Sequence, residues 1–567
     1  MGGALGHPGA DPMTGNQVER DGSGRVTVDG EVPAGDPGDR RDCDVLVVGA
    51  GFGGIYAAYR FRQMGLRVLG IDGAGGFGGV WYHNRYPGAR VDVDSTDYTF
   101  YFSPELYRDW RWSERFATQP ELLRYLNHVA DRFDLRRSFV FGTWVTHATW
   151  SRADRHYRVE TDTGLTVAAR FLVMATGNLS RSRDLRFPGL GDFQGDWVQT
   201  SHWPEHGVRY ADRRVGVIGT GSSGVQTISA IAPEVAELHV FQRTPNFSIP
   251  AVNGPVDDAH FEGVCADVRG AREWLRTVPS GTHSRRGTKR TSDYSPAERQ
   301  EIIERQWNRG GHEFAMMFTD QGTDEAANAI IAEFARAKIR EIVKDPEVAE
   351  ALCPYDHPIG TRRLCLDTGY YESFNLPHVT LVDLRSEPIE TVTAAGIRTS
   401  RREYELDLII FATGFTAFTG AIDSAGIRNE RGESPTDGWK HGPRTFLGLM
   451  TERFPNLFFL TGPGSPSVLA NMAAGNEHHV DWVADLIDHM RKTGATTVEP
   501  TTEAVEEWGE HVADVAKNML RLRVNNYMVH VNEDGSRVFM PYIGGFGQYV
   551  QRAAEVASRG YPGLVLE

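Results

Sequence analysis

The sequence predicts an α/β fold of two doubly wound units, each split along the chain, with a block of helices inserted between their halves. Three observations carry that reading. Two glycine-rich turns, Gly49-Ala50-Gly51-Phe52-Gly53-Gly54 and Gly219-Thr220-Gly221-Ser222-Ser223-Gly224, stand 170 residues apart. Each follows a short apolar run, Val45–Val48 or Val215–Ile218, with the length and β-branched content of a buried parallel strand. Between about 251 and 358 that strand signal disappears, and 297–309 and 324–343 show charged, amphipathic helical periodicity.

In chain order, the first unit runs from strand Val45–Val48 through the glycine turn into an apolar-periodic helix ending at Gly65. A strand from Leu66 to Ile71 then closes on Asp72. Strand, glycine turn, helix and strand in this order present free N–H groups and the positive end of a helix dipole to a pyrophosphate. Asp72 follows Gly54 by 18 residues, close to the spacing of about 20 for a carboxylate that takes ribose hydroxyls. Such a carboxylate accepts FAD or NAD and repels a 2′-phosphate. Gly49, Gly51, Gly54 and Asp72 are therefore assigned to the first nucleotide.

The second unit repeats the pattern with strand Val215–Ile218, a turn carrying Gly219, Gly221, Ser222 and Gly224, a helix, and strand Leu238–Gln242. Here Arg243-Thr244 replaces the carboxylate, offering a guanidinium and a hydroxyl to a 2′-phosphate. NADP is the expected tenant. Two further strand-to-turn passages, Phe171–Gly177 and Leu408–Gly414, end on small residues that permit close backbone approach. The predicted organisation is a leader over 1–42, an FAD-binding domain from 43–177 and 413–567, an NADP-binding domain from 178–250 and 359–412, and a helical insertion over 251–358. Both nucleotide domains are thus discontinuous and Rossmann-like. Two nucleotides on one polypeptide suit an enzyme that moves a hydride between them.

The bulk numbers bound the rest. At 567 residues the chain has room for two or three domains. A hydrophobic content of 40% and a mean hydropathy of −0.39 describe a soluble globular protein, and no apolar run approaches the roughly 18 residues of a membrane helix. A net charge of −15 argues against a nucleic-acid partner, because phosphates attract an excess of Lys and Arg. The four cysteines, Cys43, Cys265, Cys353 and Cys365, form no Cys-x-x-Cys pair, which fits a reducing compartment and offers neither a zinc site nor a redox disulfide. Residues 1–42, rich in Gly, Asp and Pro, read as a disordered leader and not a secretory signal. Gly6 stands where a myristoylation signal has Ser or Thr. A cytoplasmic protein without an obligate protein partner is expected.

A longer pattern narrows the class: Gly78-Gly79-Val80-Trp81, four residues, Tyr86-Pro87-Gly88, three residues, Asp92. Gly360-Thr361-Arg362-Arg363, Gly442-Pro443-Arg444-Thr445 and Gly462-Pro463-Gly464-Ser465-Pro466-Ser467 accompany it. With these segments the chain resembles the Baeyer–Villiger monooxygenases, FAD- and NADPH-dependent enzymes that insert oxygen beside a ketone. The resemblance runs from about Asp42 to Glu567 and is closest to members acting on phenylacetone and steroids. It implies that Arg363 is the active-site arginine, with Asp92 as its carboxylate partner. It places Gly79, Trp81, Tyr86, Asp92 and Tyr98 around the flavin and adds Arg362 to Arg243 and Thr244 on the 2′-phosphate. Ser467, Val468, Leu469 and Met472 would line the substrate pocket.

The implied chemistry has NADPH reduce FAD, reduced flavin combine with O2 as a C4a-peroxide, and that species add to a ketone, giving an ester or lactone. The expected substrate is bulky, cyclic or polycyclic, such as a steroid or terpenoid. A fixed cation and exclusion of water are the physical requirements, and Arg363 meets the first because a guanidinium stays protonated in proteins. No metal is needed. His478-His479 is expected as a helix-start pair, and Cys365 as a buried strand thiol.

Two departures stand out. The family signature Phe-x-Gly-x-x-x-His-x-x-x-Trp is present as Phe193, Gly195 and Trp203, but Gln199 occupies the His position and His202 lies three residues on. In the C-terminal loop Asn525–Gly535, Asn526 stands where relatives carry a Trp expected to cover the nicotinamide. These motivate one rival, a catalytically impaired homologue that binds both nucleotides; a flavin enzyme that oxidises nitrogen or sulfur, with similar resting chemistry, is another. A disulfide reductase is disfavoured by the missing Cys pair.

Overall fold

Two sheets organise the chain, and strands that arrive late in the sequence complete each of them. The computed structural model describes residues 40–567. In the first sheet, strand Arg40–Val48 lies parallel between Val68–Ile71 and Thr166–Met174. Phe139–Val140 extends it on one side. An antiparallel meander of Val145–Ser151 and His156–Thr161 leads into Thr166–Met174. Leu457–Phe459 then pairs parallel with Thr166–Met174, bringing the C-terminal part of the chain back to this sheet.

The second sheet is wholly parallel, in the order Val379–Asp383, Glu237–Gln242, Arg214–Ile218, Leu408–Phe411, Asp196–Gln199. Parallel strands covered on both faces read as continuous apolar runs, and every residue of Leu408–Phe411 is buried. Between 251 and 358 the described residues form helices and no strand. Two of these, Pro296–Arg309 and Glu325–Ile342, lie where the periodicity places them. Ser295 and Glu298 form a reciprocal capping box that fixes the start of the first. Among the described residues no helix is long and apolar enough to cross a membrane.

Both glycine turns are set by contact with the small-residue passages. Gly49 has φ +112°, and a Cβ there would lie 2.4 Å from the Ala175 carbonyl oxygen; Gly219 has φ +108° and the same conflict with Ala412 at 2.5 Å. Only glycine meets both demands, a positive φ and an absent side chain.

Two expectations need correction. Of the leader placed at 1–42, residues 1–39 lie outside the described residues, but Arg40–Asp42 already belong to the first strand, paired with Thr166–Ala168. His478 and His479 do not start a helix. They sit in the second turn of Met472–Thr493, buried, because the apolar face extends upstream to Ala473. The Thr461 amide donates to His479 Nδ1 at 2.9 Å.

These histidines make a testable contribution to stability. Burial pushes His479 down to about 3 and holds His478 well below the ordinary imidazole value. Burial, with His202 and Arg85 nearby, takes His83 to about 4. In the unfolded chain each takes up a proton near pH 6.5, so the unfolded state binds more protons and stability falls as pH drops from about 6.5 toward 4. The urea midpoint is expected to decline between pH 7.5 and 5, with a shallower decline in His479→Gln, which still accepts from Thr461. Identical slopes for the two proteins would remove His479 from this account.

Candidate active site

The first glycine turn is tied to the strand beside it by Asp72. Its carboxylate accepts the Ala50 amide at 2.5 Å and the Ala74 amide at 2.7 Å. Burial raises its pKa, and these two N–H groups offset part of the rise. Asp72 thus shapes the turn, with each carboxylate oxygen taking one backbone amide. Gly51 caps helix Phe52–Gln63, and a Cβ on it would lie 3.4 Å from the Gly79 Cα. The two predicted glycine segments therefore pack against one another, and a Cβ on Gly79 would lie 2.9 Å from the Gly51 Cα.

From Gly79 the chain crosses to the second nucleotide unit. Trp81 Nε1 donates to the Tyr98 hydroxyl at 3.3 Å, and Tyr98 packs edge-on against Phe52, with centroids 4.9 Å apart. Tyr86 donates to Gln226 Oε1 at 2.8 Å, and Gln226 Nε2 donates to the Arg90 carbonyl at 3.1 Å. Gln226 lies on helix Ser222–Ile231, which follows the second turn. The Tyr86-Pro87-Gly88 segment therefore joins the two nucleotide units.

At the second turn, a Cβ on Gly224 would lie 2.0 Å from the Gly219 carbonyl oxygen, whereas Gly221 faces open space. Ser222 Oγ lies 3.7 Å from the buried thiol of Cys365, a strand residue as expected. The Thr220 hydroxyl donates to the Thr244 carbonyl at 3.1 Å, setting Thr244 beside the turn. Arg243 is exposed, and Arg362 Nε is buried without a hydrogen-bond partner among the described residues. Burial lowers the Arg362 pKa; Asp356 opposes the fall and Arg243 adds to it. Two guanidiniums that repel each other suit an anionic partner such as a phosphate.

Arg363 and Asp92 meet in a bidentate ion pair. Nε and Nη2 each donate to a carboxylate oxygen at 2.6 Å, while Nη1 donates to the Val468 carbonyl at 3.1 Å. The side chains keep 31% and 21% of their surface accessible, so the pair forms a wall rather than a sealed core contact. Burial works against both charges, but Arg363 first and His312 next hold the Asp92 carboxyl well below the carboxylate range. Asp92 in turn raises Arg363 despite its burial. Asn246 Nδ2 fixes the Arg363 backbone by donating to its carbonyl at 3.1 Å.

Of the expected pocket residues, Val468 touches this pair through its carbonyl. Ser467, at φ +45°, has its hydroxyl held by Asn178 Nδ2 at 2.7 Å. Val468 and Leu469 pack against a cluster that includes Met528 and Phe539, and Met472 opens helix Met472–Thr493. Sequence reasoning missed four neighbours: His312 at 3.3 Å from Asp92, Asn246, and Tyr527 and Arg521, both close enough to interact electrostatically with Arg363. All lie far from Arg363 in the chain or carry no motif. Two surface depressions of about 450 and 490 Å³ lie elsewhere; the first is lined by His260, Trp274 and His283 and the second by Arg60, Arg272 and Asp481.

The departures resolve into local structure. Gln199 ends its strand and donates to the Arg183 carbonyl at 3.1 Å. His202 is held instead by Ser182 at 3.1 Å and Ser201 at 3.2 Å. Asn526 Nδ2 donates to the Arg521 and Val524 carbonyls at 3.1 and 3.0 Å, and its Oδ1 accepts the Met528 amide at 2.8 Å. The loop is thus bent by an amide that bonds its own backbone.

Comparison with known proteins agrees with this geometry. The sequence pattern of the pyridine nucleotide-disulphide oxidoreductases matches residues 46–252; the four cysteines are nonetheless unpaired. A Baeyer–Villiger monooxygenase of Pseudooceanicola batsensis is 40% identical over 92% of this chain and 96% of its own. A phenazine N-monooxygenase of Lysobacter antibioticus is 38% identical over 93% and 98%. The solved structure of an oxidized steroid monooxygenase bound to NADP is 48% identical, covers 93% of this chain and 99% of its own, and superposes with a TM-score of 0.89. The chain belongs to the Baeyer–Villiger monooxygenase family.

Removing the carboxylate tests the pair directly. Asp92→Asn leaves the Arg363 guanidinium without a counter-charge and is expected to cost about 2–3 kcal/mol, below the roughly 3–5 of a sealed pair because both side chains keep accessible surface. Urea unfolding reads this, and the double variant with Arg363→Ala should recover part of the loss. An unchanged midpoint in Asp92→Asn would mean the pair does not support the fold.

Proposed function

We propose that this chain is an FAD- and NADPH-dependent Baeyer–Villiger monooxygenase that converts a bulky cyclic or polycyclic ketone, of the steroid or terpenoid kind, to an ester or lactone. The observation that carries this reading is the bidentate Arg363–Asp92 pair, partly accessible beside the pocket segment Ser467–Leu469. The ketone and O2 are its small-molecule partners, and the cytoplasm is its place of work.

The two glycine turns suit the two nucleotides. Gly49, Gly51, Gly54 and Asp72 take the FAD pyrophosphate and ribose, with Gly79, Trp81, Tyr86, Asp92 and Tyr98 continuing the wall. Gly219, Gly221, Ser222 and Gly224 take the NADP pyrophosphate, and Arg243, Thr244 and Arg362 its 2′-phosphate. When bound, FAD supplies chemistry that no side chain here can supply: it accepts a hydride from NADPH and passes the electrons to O2.

Arg363 provides a permanent cation where negative charge develops on oxygen, and a preorganised charge of this kind needs no reorientation during reaction. Asp92 fixes the plane of the guanidinium through two hydrogen bonds, and the Val468 carbonyl fixes its third edge. Asp92 also offsets part of the positive charge, which would otherwise hold back a departing hydride. Ser467, Val468, Leu469 and Met472 shape the pocket and exclude water from it.

The 38%-identical phenazine N-monooxygenase supports a second reading, oxygen transfer to a ring nitrogen. Mass analysis of products from a polycyclic ketone and from an aromatic N-heterocycle separates the two, since only the first gives a lactone.

Arg363→Ala is expected to leave FAD bound and reducible by NADPH while lactone formation falls about 100-fold or more; lactone at the wild-type rate would overturn the role. Arg243→Ala should raise the KM for NADPH roughly tenfold or more, the worth of a charge-assisted contact, with little effect on NADH. Equal shifts for both nucleotides would place the 2′-phosphate elsewhere.

A further inference from the structure

Arg521 is a cation beside the proposed active site that the mechanism above does not use. It lies on the short helix Leu520–Arg523. Its Nε and Nη2 both donate to one acceptor, the Gly360 carbonyl, at 3.1 and 2.6 Å. A guanidinium has five N–H donors in a fixed fork, and the others have no partner among the described residues. The titratable groups that interact with Arg521 are Arg363, which repels it, and the neutral Tyr527 hydroxyl. Asp92 is committed to Arg363, and the neighbouring Arg523 takes Glu325.

Among the described residues, Arg521 is therefore a cation without a carboxylate, set in the protein beside a second cation. Burial, with Arg363 adding to the effect, lowers its pKa to about 10, so it remains charged at neutral pH. It is not sealed, however, and keeps part of its surface accessible, as do Arg363 and Asp92. A charge placed this way is costly unless something anionic meets it. The NADP phosphates already have donors in this arrangement, namely Arg243, Thr244, Arg362 and the second glycine turn.

We propose that Arg521 binds an anionic oxygen group, supplied by a carboxylate on the ketone substrate. The inference rests on the oxygenase reading above. Gly360 lies three residues before Arg363, so the carbonyl that holds Arg521 belongs to the segment that holds Arg363. The two cations are thereby fixed relative to one another. An acid held at Arg521 sets how far the ketone carbonyl reaches toward Arg363, which makes Arg521 a specificity residue for keto acids of suitable length.

The test compares the FAD-loaded wild type with Arg521→Gln and Arg521→Lys, on three matched pairs of keto acid and methyl ester built on cyclohexanone, decalone and steroid frames. Dissociation constants come from the perturbation of the flavin spectrum in the presence of NADP+, and KM from lactone formation. In the wild type at least one acid is expected to bind roughly tenfold or more tightly than its ester, the factor a charge-assisted hydrogen bond is worth. Arg521→Gln should abolish that preference and Arg521→Lys retain most of it.

An acid preference absent from all three pairs, or one that survives in Arg521→Gln, overturns the proposal. If Arg521→Gln weakens NADP+ binding and leaves the acid-to-ester ratio alone, the charge serves the nucleotide and the substrate assignment is wrong. If no ketone, acid or neutral, yields lactone, the oxygenase reading fails, while the binding ratios still decide whether Arg521 selects a carboxylate. Should Arg521→Gln lose flavin or fold poorly, the Lys variant decides: a lysine that keeps the charge but lowers the ratio to that of the ester refutes charge recognition.

Discussion

The bidentate pair between Arg363 and Asp92 joins residues 271 positions apart and defines the space in which the proposed chemistry takes place. Removing two charges from water is favourable only when geometry is good and the remaining donors are satisfied. Here the carboxylate takes two guanidinium N–H groups, the Val468 carbonyl takes another, and His312 approaches the carboxylate from the helical segment at 3.3 Å. The segment after the first glycine turn, the return to the second sheet, the pocket segment and the helical insertion thus converge on one ion pair. Moving the Asp92 or the Arg363 segment alone would unpair a charge, and moving the pocket segment would cost the Val468 hydrogen bond.

The same economy of placement recurs at the nucleotide turns. Each turn presses its first glycine against the carbonyl of a neighbouring strand end, Ala175 or Ala412. The second of those strands, Leu408–Phe411, enters the sheet only after the helical segment. The discontinuity is therefore a condition of the second turn, because its packing partner lies nearly two hundred residues downstream. Tyr86 and Gln226 then fasten one unit to the other through a buried hydrogen bond at 2.8 Å.

Much of this was legible in the chain itself, for physical reasons that differ by element. Buried parallel strands announce themselves as apolar runs, and Val45–Val48, Val215–Ile218 and Leu408–Phe411 lie where those runs are. The glycine turns were legible because positive φ and close approach restrict the residue type. Part of the near-signature turns out to report packing: a Cβ on Gly195 would lie 2.5 Å from the Phe193 ring, so Phe193 and Gly195 specify one another. The helix start at Met472 was misplaced because two histidines looked polar in sequence, whereas burial makes them neutral members of an apolar face. His312, Asn246, Tyr527 and Arg521 were not legible, since tertiary contact alone brings them to Arg363. Asn526 was visible as a substitution, but its effect was not, because the hydrogen bonds it makes to its own loop depend on how that loop bends.

The segment Gly360–Arg363 shows how one short stretch can couple separate tasks. Arg362 lies toward Arg243 and adds to the positive field beside the second glycine turn. The next residue, Arg363, is committed to Asp92, and its backbone is clamped by Asn246. Gly360 offers its carbonyl to Arg521. Two cations therefore lie on these four residues, and a third is hydrogen-bonded to them. A shift of this segment on nucleotide binding would move the charge beside the pocket and the charge beneath the C-terminal loop together. Coupling of this kind needs no long pathway, because the 2′-phosphate contact and the catalytic contact of the proposed mechanism sit on adjacent side chains.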